Sequence, residues 1–224
     1  MRTCKFRWAL LGVVGLTLTA SGGSGDEKGA TPLASAEIRQ YEGQKLASVN
    51  DFPENSIAGP QKVSLDTYRL KINGLVEHPL SLTYEQVLAE HHYSKVVKLY
   101  CVEGWDAKVL WEGILLEDLL TKAGVKPNAV VVIFHAVDGY TSSLPLEFVR
   151  TKKLLLAYKL NGLTLPANQG FPFQVVAESK WGYKWVRWVT EIELSADSHY
   201  RGYWEKHGYS NNGDQAGPMF EKLH

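Results

Sequence analysis

The sequence predicts an α+β fold, a single mixed domain with many short strands and a few short helices among them. Three observations carry this expectation. Apolar or alternating segments bounded by Gly, Asn and Asp recur from Tyr68 to Leu194. Helical patterns are short and do not alternate with the strands as a βαβ repeat requires. The chain has 224 residues, 45% hydrophobic and 21% charged, enough for one well-buried core. Lys plus Arg equals Asp plus Glu at 24 each, so global charge gives no pull toward nucleic acid or an acidic membrane.

In chain order, residues 1–21 read as an export signal. Arg2, Lys5 and Arg7 precede a mostly apolar run from Trp8 to Leu18, and small residues follow from Ala20. That run is shorter than the ~20 apolar residues that span a bilayer. The expected product is an exported, periplasmic or otherwise extracytoplasmic protein with no transmembrane span after processing. Leu18-Thr19-Ala20-Ser21 places serine where a lipoprotein signal carries its cysteine, so no lipidation is expected. Arg2 and Arg7 do not form a twin-arginine pair. Residues 22–36, rich in Gly and Ser, read as a flexible tether, and 37–224 as the folded domain.

Within that domain, Ile38 to Leu46 shows a weak helical pattern broken by Gly43, and Asn50 to Pro60 reads as a long loop. Tyr68 to Ile72 alternates as a strand, with Asn73-Gly74 expected to turn the chain tightly back through Leu75 and Val76. Thr83 and Gln86 form a capping box for a helix from Tyr84 to His91. A strand from Val96 ends at Cys101. A helix from Leu115 to Ala123 is stopped by Gly124, and further strands are expected at Val130–Phe134, Tyr140–Leu144, Leu154–Leu160, Phe173–Ala177 and Thr190–Leu194. Aromatic residues, among them seven Trp and eleven Tyr, concentrate between Tyr158 and Tyr209.

Candidate chemistry centres on Lys98-Leu99-Tyr100-Cys101-Val102-Glu103-Gly104-Trp105. Of two cysteines, Cys4 falls in the export signal, leaving Cys101 as the one thiol of the processed chain. Three readings are open for it: a small core residue at a strand end, a nucleophile paired with His135 and Asp138, or a thiolate ligand to a soft metal. A second candidate is Lys180-Trp181-Gly182-Tyr183-Lys184-Trp185-Val186-Arg187-Trp188, where cations alternate with aromatics. It reads as a strand with one solvated cationic side or as a site for a phosphate and a flat heterocycle.

Cys101 to Trp105, Trp111-Glu112-Gly113, Asp138-Gly139-Tyr140, Ala157 to Gly162, Gly170-Phe171-Pro172, Trp181 to Lys184 and Tyr203-Trp204-Glu205 together resemble the molybdenum-cofactor oxidoreductases of the sulfite oxidase fold. Among these, the order and spacing are most similar to bacterial and archaeal members related to the periplasmic methionine sulfoxide reductase catalytic subunit. The resemblance covers roughly residues 60–212 and implies a molybdopterin cofactor carrying molybdenum, with tungsten the alternative.

The resemblance further implies that Cys101 is the protein's side-chain ligand to the metal and that Glu103 acts beside it, supporting the metal site or relaying a proton. Cofactor contacts are implied at Asn50 or Asn55, at Gln169 and Gln174, and at Lys184, Trp185, Val186 and Arg187. Two positions depart from the family pattern: Gln174 where an arginine is common, and Ala136 where the reductase relatives carry a threonine. Gly104-Trp105-Asp106 replaces the cationic stretch of sulfite-oxidising members, which favours a neutral S-oxide or N-oxide, small or protein-bound, over an anion. One cysteine supplies neither haem attachment nor an iron-sulfur cluster. Electrons are therefore expected from a separate partner, a cytochrome or a quinone-linked subunit. A cofactor-free binding module descended from the same fold is the alternative. The tail residues Tyr203 to Glu205, His207 and Tyr209 are expected either to pack on the core or to close the mouth of the site.

Overall fold

The structure, a computed structural model, describes residues 36–221; the expected export signal and all of the tether except Ala36 lie outside the described residues. In chain order the strands are β1 (Gln40–Tyr41), β2 (Gln44–Lys45), β3 (Leu70–Gly74), β4 (Leu80–Leu82), β5 (Tyr93–Tyr100) and β6 (Asp106–Leu115). They continue with β7 (Val131–Ala136), β8 (Thr141–Pro145), β9 (Leu155–Leu160), β10 (Leu163–Thr164), β11 (Gln174–Val176) and β12 (Val189–Ser195). The short helices are α1 (Tyr84–Leu88), α2 (Leu116–Ala123), α3 (Leu146–Thr151) and α4 (Tyr203–Lys206).

Two five-stranded sheets carry the domain. One runs β10-β9-β6-β5, with β11 also pairing to β9; the other runs β4-β3-β12-β7-β8. All pairings are antiparallel except β3 with β12. Inward residues of both sheets and of α2 join one apolar core, in which Ile72, Trp111, Leu119, Phe134 and Phe173 are fully buried. Each such side chain contributes about 1.5–3 kcal/mol of transfer free energy. Asn161, at the β9–β10 turn, is fully buried in a left-handed conformation at φ 50°. Its amide accepts from the Leu110 N–H (2.9 Å) and donates to the Ala47 carbonyl (2.8 Å) and to Glu37 Oε1 (2.9 Å), tying the start of the domain to the first sheet.

Several expectations are corrected. Ile38–Leu46 is not helical but forms the β1–β2 hairpin, because Glu42 and Gly43 both adopt positive φ (47° and 75°), the two-residue turn that suits hairpin twist. Asn73-Gly74 does not fold the chain straight back: Leu75 N–H bonds the Leu194 carbonyl at 2.7 Å, and the returning strand is β4. The capping box of α1 is present, with Thr83 and Gln86 bonding each other's backbone amides, but the helix stops at Leu88. Strand β6 and helix α3 fall in stretches where no element is expected from sequence. Lys180–Trp188 is not a strand with a solvated cationic face, since Gly182–Lys184 is a 3-10 turn and Lys180 and Lys184 are buried.

Candidate active site

Cys101 follows β5 directly and is 6% exposed. Gly104, at φ 90°, bends the chain so that Gly104 N–H bonds the Cys101 carbonyl (3.1 Å) and Cys101 N–H bonds the Trp105 carbonyl (2.9 Å). This tight loop brings Glu103 over the sulfur, with Oε2 3.6 Å from Cys101 Sγ, and lets Trp105 Nε1 donate to the same oxygen at 3.1 Å. On the other side Gly182 packs against the Cys101 backbone, where a Cβ would lie 3.5 Å from the Cys101 Cα.

The loop that sequence places at Asn50–Pro60 closes over this end. Asn55 Nδ2 lies 3.6 Å from Cys101 Sγ and donates to Glu103 Oε2 at 3.3 Å, while its Oδ1 accepts from Arg187 Nη2 at 2.9 Å. Arg187 also donates to the Asn168 carbonyl at 3.1 Å and lies over the Trp188 ring. Burial pushes the Cys101 thiol up from its ordinary value, and the Glu103 carboxylate beside it adds to the rise. Hydrogen bonds from Trp105 and then Asn55 hold Glu103 below the usual carboxylate range, against the opposing effect of burial. Burial lowers the Arg187 guanidinium, partly countered by Glu54 and Asp138.

These groups line one open cleft with about 970 Å³ of empty space, part of it continuous with solvent. Its inner wall holds Gln169 and Gln174, each 3% exposed, and neither Gln169 Nε2 nor Gln174 Oε1 has a hydrogen-bond partner among the described residues. A buried amide left without a partner costs about 1–3 kcal/mol. One unmatched donor and one unmatched acceptor in a cleft flanked by Trp185, Trp188 and a thiol suit a flat, polar-edged, metal-bearing cofactor.

Of the residues singled out from sequence, the cleft brings together Cys101, Glu103, Asn55, Gln169, Gln174, Trp185 and Arg187. It does not include Asn50, which is exposed on the 3-10 turn Val49–Asp51, or Val186, whose side chain is in the core. Lys184 is drawn away from the cleft. Its Nζ bonds Glu205 Oε1 (2.6 Å) and the Ser143 carbonyl (3.0 Å), both side chains of the pair being 0% exposed. Burial pushes the Lys184 ammonium down, and Glu205 pulls it back up. The Cys–His pairing is absent: His135 Nε2 bonds Glu193 at 2.9 Å and does not line the cleft, although Asp138 does. Ala136 likewise lies outside the cleft lining. Trp188, in the aromatic stretch that sequence offers as a heterocycle site, does line the cleft, whereas Phe52 and Tyr140 were not assigned to its wall, since only the fold brings their separate loops to one place.

The crystal structure of the sulfane dehydrogenase SoxCD from Paracoccus pantotrophus is similar in fold, with TM-score 0.61 and 26% identity over 67% of this chain and 42% of that one. The class defined by this fold and cleft is a cofactor-dependent oxidoreductase of the sulfite oxidase fold. Residues 57–204 match the oxidoreductase molybdopterin binding domain, and the chain belongs to that family. Among curated relatives, the uncharacterized oxidoreductase YuiH of Bacillus subtilis (strain 168) is 36% identical over 156 residues, 69% of this chain and 78% of that protein. The putative protein-methionine-sulfoxide reductase subunit YedZ1 of Azospira oryzae is 30% identical over 71% of this chain and 62% of its own length. The protein-methionine-sulfoxide reductase catalytic subunit MsrP of Gluconobacter oxydans is 31% identical over 57% of this chain and 46% of its own length. The chain therefore spans less than two thirds of these last two relatives. A molybdopterin-binding oxidoreductase replaces the cofactor-free binding module considered from sequence. No helix among the described residues is long and apolar enough to cross a membrane.

Proposed function

We propose that the protein reduces a neutral S-oxide, or less preferably an N-oxide, with Cys101 as the side-chain ligand to molybdenum. For a sulfoxide the balance is R2SO + 2H⁺ + 2e⁻ → R2S + H2O. The observation that carries this reading is the neighbourhood of Cys101: Glu103, Trp105 and Asn55 touch or flank the sulfur, and the cation in the cleft lining, Arg187, is already bonded to Asn55 and Asn168. Glu103 and Asp138 in the cleft repel an anion such as sulfite, whereas an uncharged oxide meets no such penalty. Relatives named as methionine sulfoxide reductase subunits support the same direction.

When bound, the cofactor supplies two-electron oxygen-atom transfer. Of the residues present, Cys101 would hold the metal, and Gln169, Gln174 and Arg187 would hold the pterin and its phosphate through hydrogen bonds and charge. Trp185 and Trp188 offer apolar walls. Glu103, whose carboxylate accepts from Trp105 and Asn55, would stand beside the metal end of the cleft to accept a hydrogen bond from water there and relay the protons that the reduction consumes. Asn55 orients both Glu103 and Arg187 and so links the metal end of the cleft to the pterin end. Electrons come from a separate cytochrome or quinone-linked partner, and residues 1–21 direct the chain out of the cytoplasm, where both substrate and partner are met.

The test is a steady-state assay of molybdenum-loaded protein with an artificial low-potential donor. Turnover of methyl sulfoxides with little or no sulfite oxidation is expected. Efficient sulfite oxidation without sulfoxide reduction overturns the reading.

A further inference from the structure

The family match ends at Trp204, yet the described chain continues to Glu221 and folds back onto the cleft. Two buried lysines pin this tail. Lys184 holds Glu205, and Lys180, 2% exposed, donates to Asp214 Oδ1 (2.6 Å) and to the Asn212 carbonyl (2.8 Å). The tail then closes on itself, with Ser210 N–H on the Met219 carbonyl (2.9 Å) and Glu221 N–H on the Gly208 carbonyl (2.9 Å). What this arrangement delivers is aromatic surface. Trp204 and Tyr209 line the same cleft as Cys101, their rings 5.5 Å apart, and Tyr209 is braced by Tyr183 at 5.1 Å and by Phe220 at 4.8 Å. Phe220 is itself 60% exposed beside Tyr209, so apolar surface continues from the cleft wall to the outside.

We propose that the tail wall formed by Trp204 and Tyr209, together with Trp105 from the cysteine loop, selects S-oxides carrying a large apolar substituent over small ones. The inference deepens the reductase reading and rests on it. An S-oxide has one polar end and two apolar arms. Its oxygen belongs at the end of the cleft holding Cys101 and Glu103, which leaves the arms to the aromatic rings. Rings bury apolar area and make favourable contacts with thioether sulfur. Among the described residues lining the cleft the cation is Arg187, bonded to Asn55 and Asn168, while Lys180 and Lys184 are spent on holding the tail, so selection along Trp204, Tyr209 and Trp105 is by shape and apolar area.

Molybdenum-loaded wild type, Trp204→Ala, Tyr209→Ala and Tyr209→Phe are compared on methyl phenyl sulfoxide and dimethyl sulfoxide, with metal content measured for each. The kcat/KM ratio of the aryl to the dimethyl substrate is expected to fall by about tenfold or more in both alanine variants, chiefly through KM for the aryl substrate. Tyr209→Phe keeps the ring and is expected to keep the ratio within about twofold. An unchanged ratio in both alanine variants overturns the proposal. If Trp204→Ala does not fold, Tyr209→Ala decides alone. If wild type reduces neither sulfoxide, the reductase reading fails instead. The wall is then judged by methyl phenyl sulfoxide quenching of tryptophan fluorescence, where a Kd unchanged by Tyr209→Ala overturns it.

Discussion

Replacing Lys184 with methionine removes one half of an ion pair sealed from water. Both side chains are 0% exposed, and the Lys184 ammonium supplies a 2.6 Å hydrogen bond to Glu205 Oε1, which Ser142 Oγ also approaches at 2.6 Å. With the lysine gone, Glu205 keeps a single donor, and its Oε2 has no partner among the described residues even in the wild type. Leaving one buried charge without its partner costs about 3–5 kcal/mol. For a domain of this size that is a fall in Tm of roughly 6–20 °C. The companion double variant, Lys184→Met with Glu205→Leu, removes both charges and is expected to recover most of the loss, because the pair's mutual attraction largely offsets its desolvation. Urea unfolding followed by tryptophan fluorescence reads wild type, Lys184→Met, Glu205→Leu and the double variant, and the cycle these four complete isolates the coupling. A single-variant loss below about 1 kcal/mol, the range of an exposed pair, refutes the claim that this lysine serves the tail rather than a cofactor phosphate.

Other outcomes follow from the same structure. Gly202→Ala places a Cβ 2.2 Å from the Thr141 carbonyl and 2.7 Å from the Ser142 Cα, backbone that cannot yield, so α4 is pushed from β8 at a cost of about 1–3 kcal/mol, read by thermal unfolding. Asn161→Ala strands the Leu110 N–H and the Ala47 carbonyl and puts alanine at positive φ, for a loss of about 2–4 kcal/mol in urea unfolding. Burial works to raise Glu37, but bonds from Asn161, the Val49 amide and Ser48 outweigh it and hold the carboxyl below its ordinary 4.5. Because the folded value is the lower one, Glu37 stabilises the protein above about pH 4.5, and that contribution fades as pH falls through the folded value. Glu37→Gln is therefore expected to flatten the acid limb of a stability–pH curve while wild type loses stability there; parallel curves contradict this.

The α+β class and most strands were legible because strand segments in this chain carry local punctuation. Asn161-Gly162 and Asp138-Gly139 mark real turns, and the Thr83–Gln86 capping box forms as written. Strand β6 was not legible, since its Lys108 and Glu112 interrupt the apolar pattern and its burial comes from β5 and β9 on either side. The cleft was half legible. Cys101 and Arg187 stand out by residue type, Glu103 and Gln169 by resemblance to family members, and Gln174 as a departure from their arginine. Lys184 misleads, because a lysine among aromatics reads alike whether it meets a phosphate or a buried glutamate, and Glu205 lies 21 residues away in sequence. Phe52 and Tyr140 join the wall only through tertiary approach of distant loops.

The central claim is that Cys101 holds a molybdenum-bearing pterin in the cleft it lines. Its most direct test is metal analysis for molybdenum and tungsten, with pterin fluorescence after oxidation, on wild type and Cys101→Ser from a host with intact cofactor synthesis. The account predicts near-stoichiometric metal and pterin in wild type and loss of the metal in Cys101→Ser while the protein stays folded. Equal metal content in the two proteins, or a folded wild type that carries neither metal nor pterin, would contradict it.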